Sequence, residues 1–270
     1  MPDVLRKFAV PTTPSTDTAS LLSRLEGVAA YQLEITGRSD LSPSLIEVIL
    51  AGNIETLKAL PGNDLMLAVP VEGGDGSFRR RYSVRSLDSA AGTVTLWIDT
   101  VAGGPGARWA QHAAIGSSIE CIGPRGKVTL DPLADWHLFV GDLSFLAAAS
   151  SMAEAIEAPG QAIFLFEVDE PDDLISPSLD DGIGVTVGVI ERSGRSKSDP
   201  VGLMAGLAAL EFPADEGHFY LGGELSVVAA LKTALLQRGV ETAQIHAKPY
   251  WRSGVANLAH GEPRKDDVSL

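Results

Sequence analysis

The sequence predicts a small antiparallel β-barrel followed by an α/β domain with a doubly wound, mostly parallel sheet. The prediction rests on a change of hydrophobic periodicity near the middle of the chain. Short apolar runs separated by Gly and Pro fill the first half, whereas apolar runs alternate with longer helical patterns in the second half. The chain has 270 residues, 45% of them hydrophobic, which is enough material for two cores.

The barrel is predicted from short strands at nearly regular spacing. Within the segment 93–101, Val94, Leu96 and Ile98 share one face, and polar residues alternate with them. This period of two is typical of a strand that is buried on one side. The expected barrel strands are residues 45–50, 65–71, 93–101 and 117–122.

The α/β domain is predicted from the alternation of strands and helices, which favours a parallel sheet. We expect strands at residues 137–140, 162–168, 184–190, 218–223 and 244–251. We expect helices at residues 143–158, 202–210 and 224–239, the last of them ended by Gly239.

These patterns divide the chain near the segment DPLAD, residues 131–135. We predict an N-terminal extension over residues 1–25, a barrel domain over 26–132 and an α/β domain over 133–270. The α/β domain includes a polar C-terminal tail after Asn257.

Charge and cysteine content limit the class of protein. The formal net charge of −14 opposes nucleic-acid binding over most of the surface. The sequence contains no apolar run long enough for a membrane span and no signal-peptide pattern, and its single Cys121 excludes an intrachain disulfide. We therefore expect a cytoplasmic protein.

The histidines do not form a metal-binding pattern. None of the five has ligand spacing to another histidine or to Cys121. We therefore expect no resident metal site. A structural or solvated role is expected for each of His112, His137, His218, His246 and His260.

Two predicted strands end in residues suited to a ligand. Gly141 and Asp142 follow one strand, and Gly222, Gly223 and Glu224 follow another, each just before a helix. Glycines let a ligand approach the backbone, and helix N-termini present free N–H groups. The alternative is that these glycines only make the strand-to-helix turn.

The segment RRRYSVRSL, residues 79–87, places four arginines close together in an acidic chain. Such a cluster predicts a local site for an anion. The alternative is a solvated, charged edge strand, which would protect the protein from aggregation.

The tetrapeptide Arg80-Arg81-Tyr82-Ser83 resembles the flavin-binding signature Arg-x-Tyr-Ser of the ferredoxin-reductase superfamily. With Val84-Arg85 it resembles more specifically the siderophore-interacting proteins, which are flavin-dependent ferric-siderophore reductases. Further stretches resemble this family in the right order, so that the resemblance covers roughly residues 30–256. They are GGPGARWA at 103–110, GPRG at 123–126, GDLSFLAAAS at 141–150, LGGELS at 221–226 and KPYWRSG at 248–254.

The resemblance implies that the barrel binds flavin adenine dinucleotide (FAD). Arg80 would pair with the pyrophosphate, and Tyr82 would lie against the isoalloxazine ring or the ribityl chain. Ser83 would hydrogen-bond the flavin N5 edge and so affect catalysis. The remaining flavin-binding residues would be Val84 and a helix start whose N–H groups meet the pyrophosphate, namely Gly104, Pro105, Gly106 and Ala107.

The resemblance also implies an electron donor, NADH or NADPH, held near Asp142, Ser144 and Glu224. Trp251 would cover the flavin face, or would belong to the core. The substrate would be a ferric siderophore, often an anion. Lys248 and Arg252 are the candidate catalytic cations that would hold it, joined by Arg125 or Lys127; alternatively they balance an acidic surface.

Several positions depart from the family pattern. Thr100-Val101 replaces a His-Gly pair, Ala107 replaces a serine, and the donor side carries Leu143, Ser144 and Phe145. Two alternatives therefore stay open: a flavoprotein of this fold with another electron donor or acceptor, such as ferredoxin, or a non-redox protein that binds a siderophore or small anion without FAD. The sequence lacks a Rossmann fingerprint, so it does not predict the choice between NADH and NADPH.

Overall fold

The computed structural model describes residues 29–73, 76–101 and 103–254. The predicted N-terminal extension, 1–25, and the predicted tail after Asn257 lie outside the described residues.

Six antiparallel strands close into a barrel in the order β1-β2-β5-β4-β3-β6, which confirms the predicted barrel. Helix α1, Pro105–His112, connects β5 to β6. The strands are β1 Ala29–Ser42, β2 Leu45–Ala51, β3 Asp64–Pro70, β4 Ser77–Asp88, β5 Thr93–Asp99 and β6 Ser118–Arg125. Alternate apolar side chains from all six strands fill the interior, as the period of two requires.

The arginine-rich segment lies on β4, in the middle of the barrel wall. β4 pairs with β3 on one side and with β5 on the other. The alternative that residues 79–87 form a charged edge strand is therefore wrong, because a closed barrel has no edge. The backbone N–H and C=O groups of this segment hydrogen-bond to the neighbouring barrel strands, and its side chains make other contacts.

Five parallel strands form the second sheet, in the order β11-β10-β7-β8-β9. The chain runs outward from β7 to β9 and then returns to β10 on the other side of β7, so the topological switch point lies between β7 and β10. This confirms the predicted doubly wound α/β sheet. The elements are β7 Trp136–Asp142, α2 Leu143–Ala153, β8 Gly160–Val168, β9 Ile183–Glu191, α3 Val201–Ala209, β10 Gly217–Glu224, α4 Leu225–Gln237 and β11 Ile245–Trp251.

Two predicted elements are shorter than expected. The helix expected at 143–158 ends at Ala153, with Glu154 as its C-cap, and the chain then turns before Pro159. The strand expected at 93–101 ends at Asp99, whose Oδ1 accepts a hydrogen bond from Val101 N at 2.8 Å and turns the chain.

Barrel and sheet are joined by a shared core and by polar contacts. Leu45 of the barrel is buried in the same cluster as Phe139 and Phe164 of the sheet. The Arg85 guanidinium donates to both carboxylate oxygens of Glu154, at 2.7 and 2.5 Å. The boundary at 132/133 falls between the last barrel strand and the first sheet strand, and as a domain boundary it stays a prediction.

Within the described part of the chain, no helix has the length and apolar character needed to cross a membrane.

The fully buried Asp173 ties the sheet domain to a barrel turn. Its Oδ1 accepts hydrogen bonds from Ser42 Oγ at 2.8 Å and from Ser44 N at 3.0 Å. We predict that Asp173→Ala lowers the free energy of unfolding by about 2 kcal/mol, because two part-buried donors lose a charged acceptor. Urea unfolding would measure the loss. The neighbouring exposed Asp172→Ala is the matched control, and an equal loss in both variants would contradict the prediction.

Candidate functional site

On the barrel, the side chains of β4 meet the start of helix α1. The Tyr82 ring stacks on Trp109 of that helix, with ring centroids 6.3 Å apart and planes 28° apart. Gly106 lies so close to Tyr82 that a Cβ at position 106 would overlap the tyrosine hydroxyl. A glycine is therefore required for the helix to approach the strand. The sequence motifs Arg-x-Tyr-Ser and Gly-Gly-Pro-Gly thus come together in space.

Positive charge gathers at this junction. Burial lowers the pKa of Arg80; Tyr82 opposes this effect, and Arg108 adds to it by like-charge repulsion. Gly104 stands at the N-cap of α1 without a side chain to accept from the first helical N–H groups. Pro105 and Gly106 then begin the helix, and Ala107 of the same turn is buried.

This junction fits a phosphate-bearing group. An anion placed there would meet a guanidinium, open backbone N–H groups and the positive end of a helix dipole. The loss of a serine hydroxyl at Ala107 removes one donor but leaves these three features. Burial also raises the pKa of Tyr82, which keeps the hydroxyl protonated and able to donate.

Ser83 and Val84 point to different surroundings. Ser83 is buried, and its Oγ lies 3.1 Å from the Tyr250 hydroxyl of β11, so this contact joins the barrel to the sheet domain. Val84 belongs to the barrel core, and its N–H donates to Asn63 O at 2.9 Å. Of these two residues, only Ser83 has its side chain between the two domains.

A buried ion cluster lies beside that contact. The Asp64 carboxylate accepts from Arg81 at 2.8 and 2.6 Å, and from Lys248 Nζ at 2.7 Å. Burial opposes the charge of Lys248, but the nearby Tyr250 and Asp64 outweigh it and raise the lysine pKa. Lys248 is thus charged and held by a carboxylate of the barrel.

Of the other predicted cations, Arg125 lies beside Asp64. Arg125 is its antiparallel partner on β6 and is half-buried, and Lys127 next to it is exposed. The loop containing Gly126 packs against Asp64 and Lys248. Arg252, at the end of β11, is exposed. Asp64, Arg81, Lys248 and Arg125 together therefore carry more positive than negative charge.

On the sheet, Asp142 gathers several of the predicted donor-side residues. Its Oδ1 accepts from Ser144 N at 3.0 Å and from Ser144 Oγ at 2.5 Å. Its Oδ2 accepts from Glu224 N at 3.1 Å and from Trp251 Nε1 at 3.0 Å. Burial raises the pKa of Asp142, and these hydrogen bonds oppose the rise. Trp251 is half-buried and is oriented by the carboxylate.

Glu224 has a similar structural role at the next strand. Its Oε2 accepts from Ser226 N at 2.6 Å and from Val227 N at 3.3 Å, which caps helix α4. Its Oε1 accepts from Ser253 N at 3.1 Å. Carboxylates of the chain itself therefore occupy the N-termini of both helices that follow the switch point.

Phe145 fills the space beside the strand-end glycines. A Cβ at Gly222 would overlap its ring, and the ring stacks on Phe166 with centroids 6.0 Å apart. Phe145 is only 1% exposed, so this bulky residue packs inward. The glycine at 222 serves the packing of this side chain.

A small open crevice with a volume of about 10 Å³ lies at the carboxyl ends of the parallel strands and reaches the barrel. Asp142 and Trp251 line one part of it, as expected for strand ends at a switch point. The sequence did not predict the other charged lining residues, of which two lie near the ends of predicted strands and three follow such strands. They are Asp99, Glu167, Asp169, Arg192 and Lys197.

Three histidines of neighbouring strands come together elsewhere on the sheet, away from the crevice. His218 Nδ1 lies 2.8 Å from His246 Nε2, and His218 stands opposite the buried His137. Burial lowers the pKa of His137 to about 4, with a smaller effect from His218. Among the residues that the structure describes, no group of three or more His, Cys, Asp or Glu is arranged to hold a metal ion.

Two family profiles match the chain in adjoining segments. The profile of the siderophore-interacting FAD-binding domain matches residues 57–128, and the profile of the siderophore-interacting protein matches residues 134–254. The first segment contains the junction of β4 with α1, and the second contains the parallel sheet with its crevice.

Individual proteins agree with these profiles. The ferric vibriobactin reductase ViuB of Vibrio cholerae is 28% identical over 269 residues, which cover 90% of this chain and 96% of that protein. The structure of a siderophore utilization protein from T. fusca has a TM-score of 0.76 and 25% identity, covering 86% of this chain and 97% of the other.

Two more solved structures share the fold. SipS, the siderophore-interacting protein of Aeromonas hydrophila, has a TM-score of 0.72 and 23% identity, covering 84% of this chain and 93% of its own. The ferredoxin reductase of carbazole 1,9a-dioxygenase has a TM-score of 0.68 and 24% identity, covering 81% and 68%. The chain therefore belongs to the siderophore-interacting protein family.

Proposed function

We propose that this protein is an FAD-dependent reductase that releases iron from ferric siderophores, with electrons supplied by a nicotinamide dinucleotide in the cytoplasm. The observation that carries the proposal is the junction of Arg80 and Tyr82 with the open N-terminus of α1, next to a crevice at the sheet's switch point. The match to the FAD-binding domain profile and the similarity to a ferric vibriobactin reductase support it.

Arg80 and the first turn of α1 would hold the pyrophosphate of FAD. Tyr82 offers an aromatic face and a protonated hydroxyl, and Ser83 offers a hydroxyl fixed by Tyr250. FAD bound there would supply two-electron acceptance of a hydride from the donor and one-electron transfer to ferric iron. The protein's own part is to bind, orient and exclude water.

The ferric siderophore is the substrate, and an anionic chelate requires a basic surface. Lys248 and three further cations, Arg125, Lys127 and Arg252, supply it in this proposal. Lys248 is fixed by Asp64, whereas Arg125, Lys127 and Arg252 have side chains that reach solvent. Hard oxygen donors hold ferrous iron less tightly than ferric iron, so one-electron reduction weakens the chelate.

The crevice is the proposed donor site, since ligands of open α/β sheets bind outside the carboxyl ends of the strands. Trp251 and Asp142 would line its inner part, and Ser144 and Glu224 would support them. Asp99 is the group here that changes charge near neutral pH. Burial and the charge of Asp142 raise the pKa of Asp99 to about 7, against the pull of Val101 N–H and Lys197.

The absorption spectrum of the purified protein tests the flavin part first, before and after addition of FAD and removal of the unbound fraction. A retained flavin spectrum supports the proposal. Anaerobic reduction with dithionite, followed by a ferric siderophore, should then restore the oxidised spectrum and yield ferrous iron. A protein that retains no FAD would contradict the reductase, and binding of the ferric siderophore alone would favour the non-redox alternative.

We predict that Arg80→Gln weakens FAD binding by about 10- to 100-fold, because a charge-assisted hydrogen bond to phosphate contributes roughly 1.5–3 kcal/mol. Fluorescence titration with FAD would measure the dissociation constant. Arg79→Gln is the matched control, since position 79 lies on the other face of the same strand. Equal affinities of the two variants would show that Arg80 has no role in the site.

We predict that Asp99→Asn raises the thermal midpoint more at about pH 8 than at about pH 5. The raised pKa means that the folded state binds a proton more readily than the unfolded state between about pH 4 and 7. Wild-type stability from this group is therefore lost as pH rises through that window, and the amide variant does not lose it. Asp180→Asn, on an exposed loop, should change the thermal midpoint by the same amount at both pH values.

A further inference from the structure

We infer that the crevice selects a dinucleotide without a 2′-phosphate, NADH over NADPH, because carboxylates of β8 already hold the arginines that such a phosphate would require. This inference rests on the proposed donor site and concerns its specificity. The sequence did not predict it, because the residues involved follow two different strands and carry no fingerprint.

The carboxyl end of β8 contributes two carboxylates to the crevice. Glu167 and Asp169 both line it, together with Arg192, which follows the neighbouring β9. β8 and β9 are parallel and adjacent, so their ends lie side by side beyond β7, on the side away from β10. Acidic and basic residues at such strand ends are the groups that distinguish a ribose diol from a ribose phosphate.

The arginines are already paired. Arg192 Nε lies 3.2 Å from Glu167 Oε2, and Arg192 Nη1 lies 2.5 Å from Asp169 Oδ1. Arg195 Nη2 lies 2.9 Å from Glu167 Oε1. The Glu167 and Arg192 side chains are only 3% and 7% exposed, so this pair is desolvated.

A 2′-phosphate at this place would bring roughly two negative charges next to two carboxylates. To bind it, Arg192 or Arg195 would have to leave Glu167, which would then be a buried carboxylate with reduced compensation. Asp99 and Asp142 add further acidic groups to the same crevice. Lys197 is the remaining lining cation, and its Nζ donates to Val101 O at 2.5 Å.

A ribose without phosphate has the opposite requirement. Its hydroxyls donate hydrogen bonds, and a carboxylate accepts them. The Asp169 side chain is 38% exposed, and the ion pair with Arg192 uses its Oδ1. Asp169 therefore remains accessible from the crevice as an acceptor. Arg192 keeps its position, and its charge stays balanced by the ion pair.

Isothermal titration of the full chain in saturating FAD would test this, with ADP-ribose and its 2′-phosphate as the probes. Saturating FAD keeps these adenosine phosphates out of the barrel. We expect ADP-ribose to bind at least about tenfold more tightly, since like charges in contact oppose the phosphate. Initial rates with NADH and NADPH should show the same preference.

Asp169→Asn gives the second readout. Removing this charge releases Arg192 Nη1, so the affinity for the 2′-phosphate should rise by about tenfold. The preference for ADP-ribose over its 2′-phosphate should therefore become smaller. Asp181→Asn, exposed in the loop before β9, has the same change of net charge and should leave the ratio unchanged. Circular dichroism would check that both variants fold.

Tighter binding of the 2′-phosphate by the wild type would overturn the inference, as would an equal response of the two variants. Failure to bind either probe would also overturn it, because the crevice would not be a dinucleotide site. The proposed reductase is judged separately by reoxidation of the dithionite-reduced protein with a ferric siderophore, which needs no dinucleotide.

Discussion

The buried carboxylate of Asp64 is the contact on which the arrangement of this molecule depends. It lies on the first residue of β3 and binds Arg81 of β4 and Lys248 of β11 at once. Because β11 belongs to the sheet and β3 and β4 belong to the barrel, this group joins the two domains, together with their shared core and the contacts of Arg85 and Asp173. A buried acid with two cations is stable only as a set, since any one partner left alone would carry an uncompensated charge.

The same contact determines what β4 presents to its two sides. Side chains alternate along a strand, so binding Arg81 to Asp64 directs Arg80 and Tyr82 toward helix α1. Ser83 then returns to the side of Arg81 and meets Tyr250, two residues after Lys248. A run of arginines that reads as uniform in the sequence is thus divided between joining the domains and lining the proposed anion site.

The sequence was sufficient to predict the barrel and the parallel sheet, because these depend on periodicity, and the resemblance to a known family implied that Arg80 and the turn before α1 lie together. It did not predict the partners of Lys248 or Arg192, because Asp64 and Glu167 are distant in sequence and reach them through tertiary structure. The expected position of Phe145 also stayed open until its packing against Gly222 was known. Charged residues after strands were visible in the sequence, but which of them share a crevice depends on strand order.

The two helices at the switch point are capped by Asp142 and Glu224, whereas α1 on the barrel begins with no side-chain cap. The N-termini of these two helices, where a parallel sheet can bind phosphate, are therefore already neutralised by carboxylates of the chain itself. A phosphate group at α1 would meet helical N–H groups without a side-chain cap, whereas one in the crevice would meet helix ends that Asp142 and Glu224 already occupy. In the proposed reductase, this difference would let FAD stay bound at α1 while the electron donor in the crevice is exchanged in each turnover.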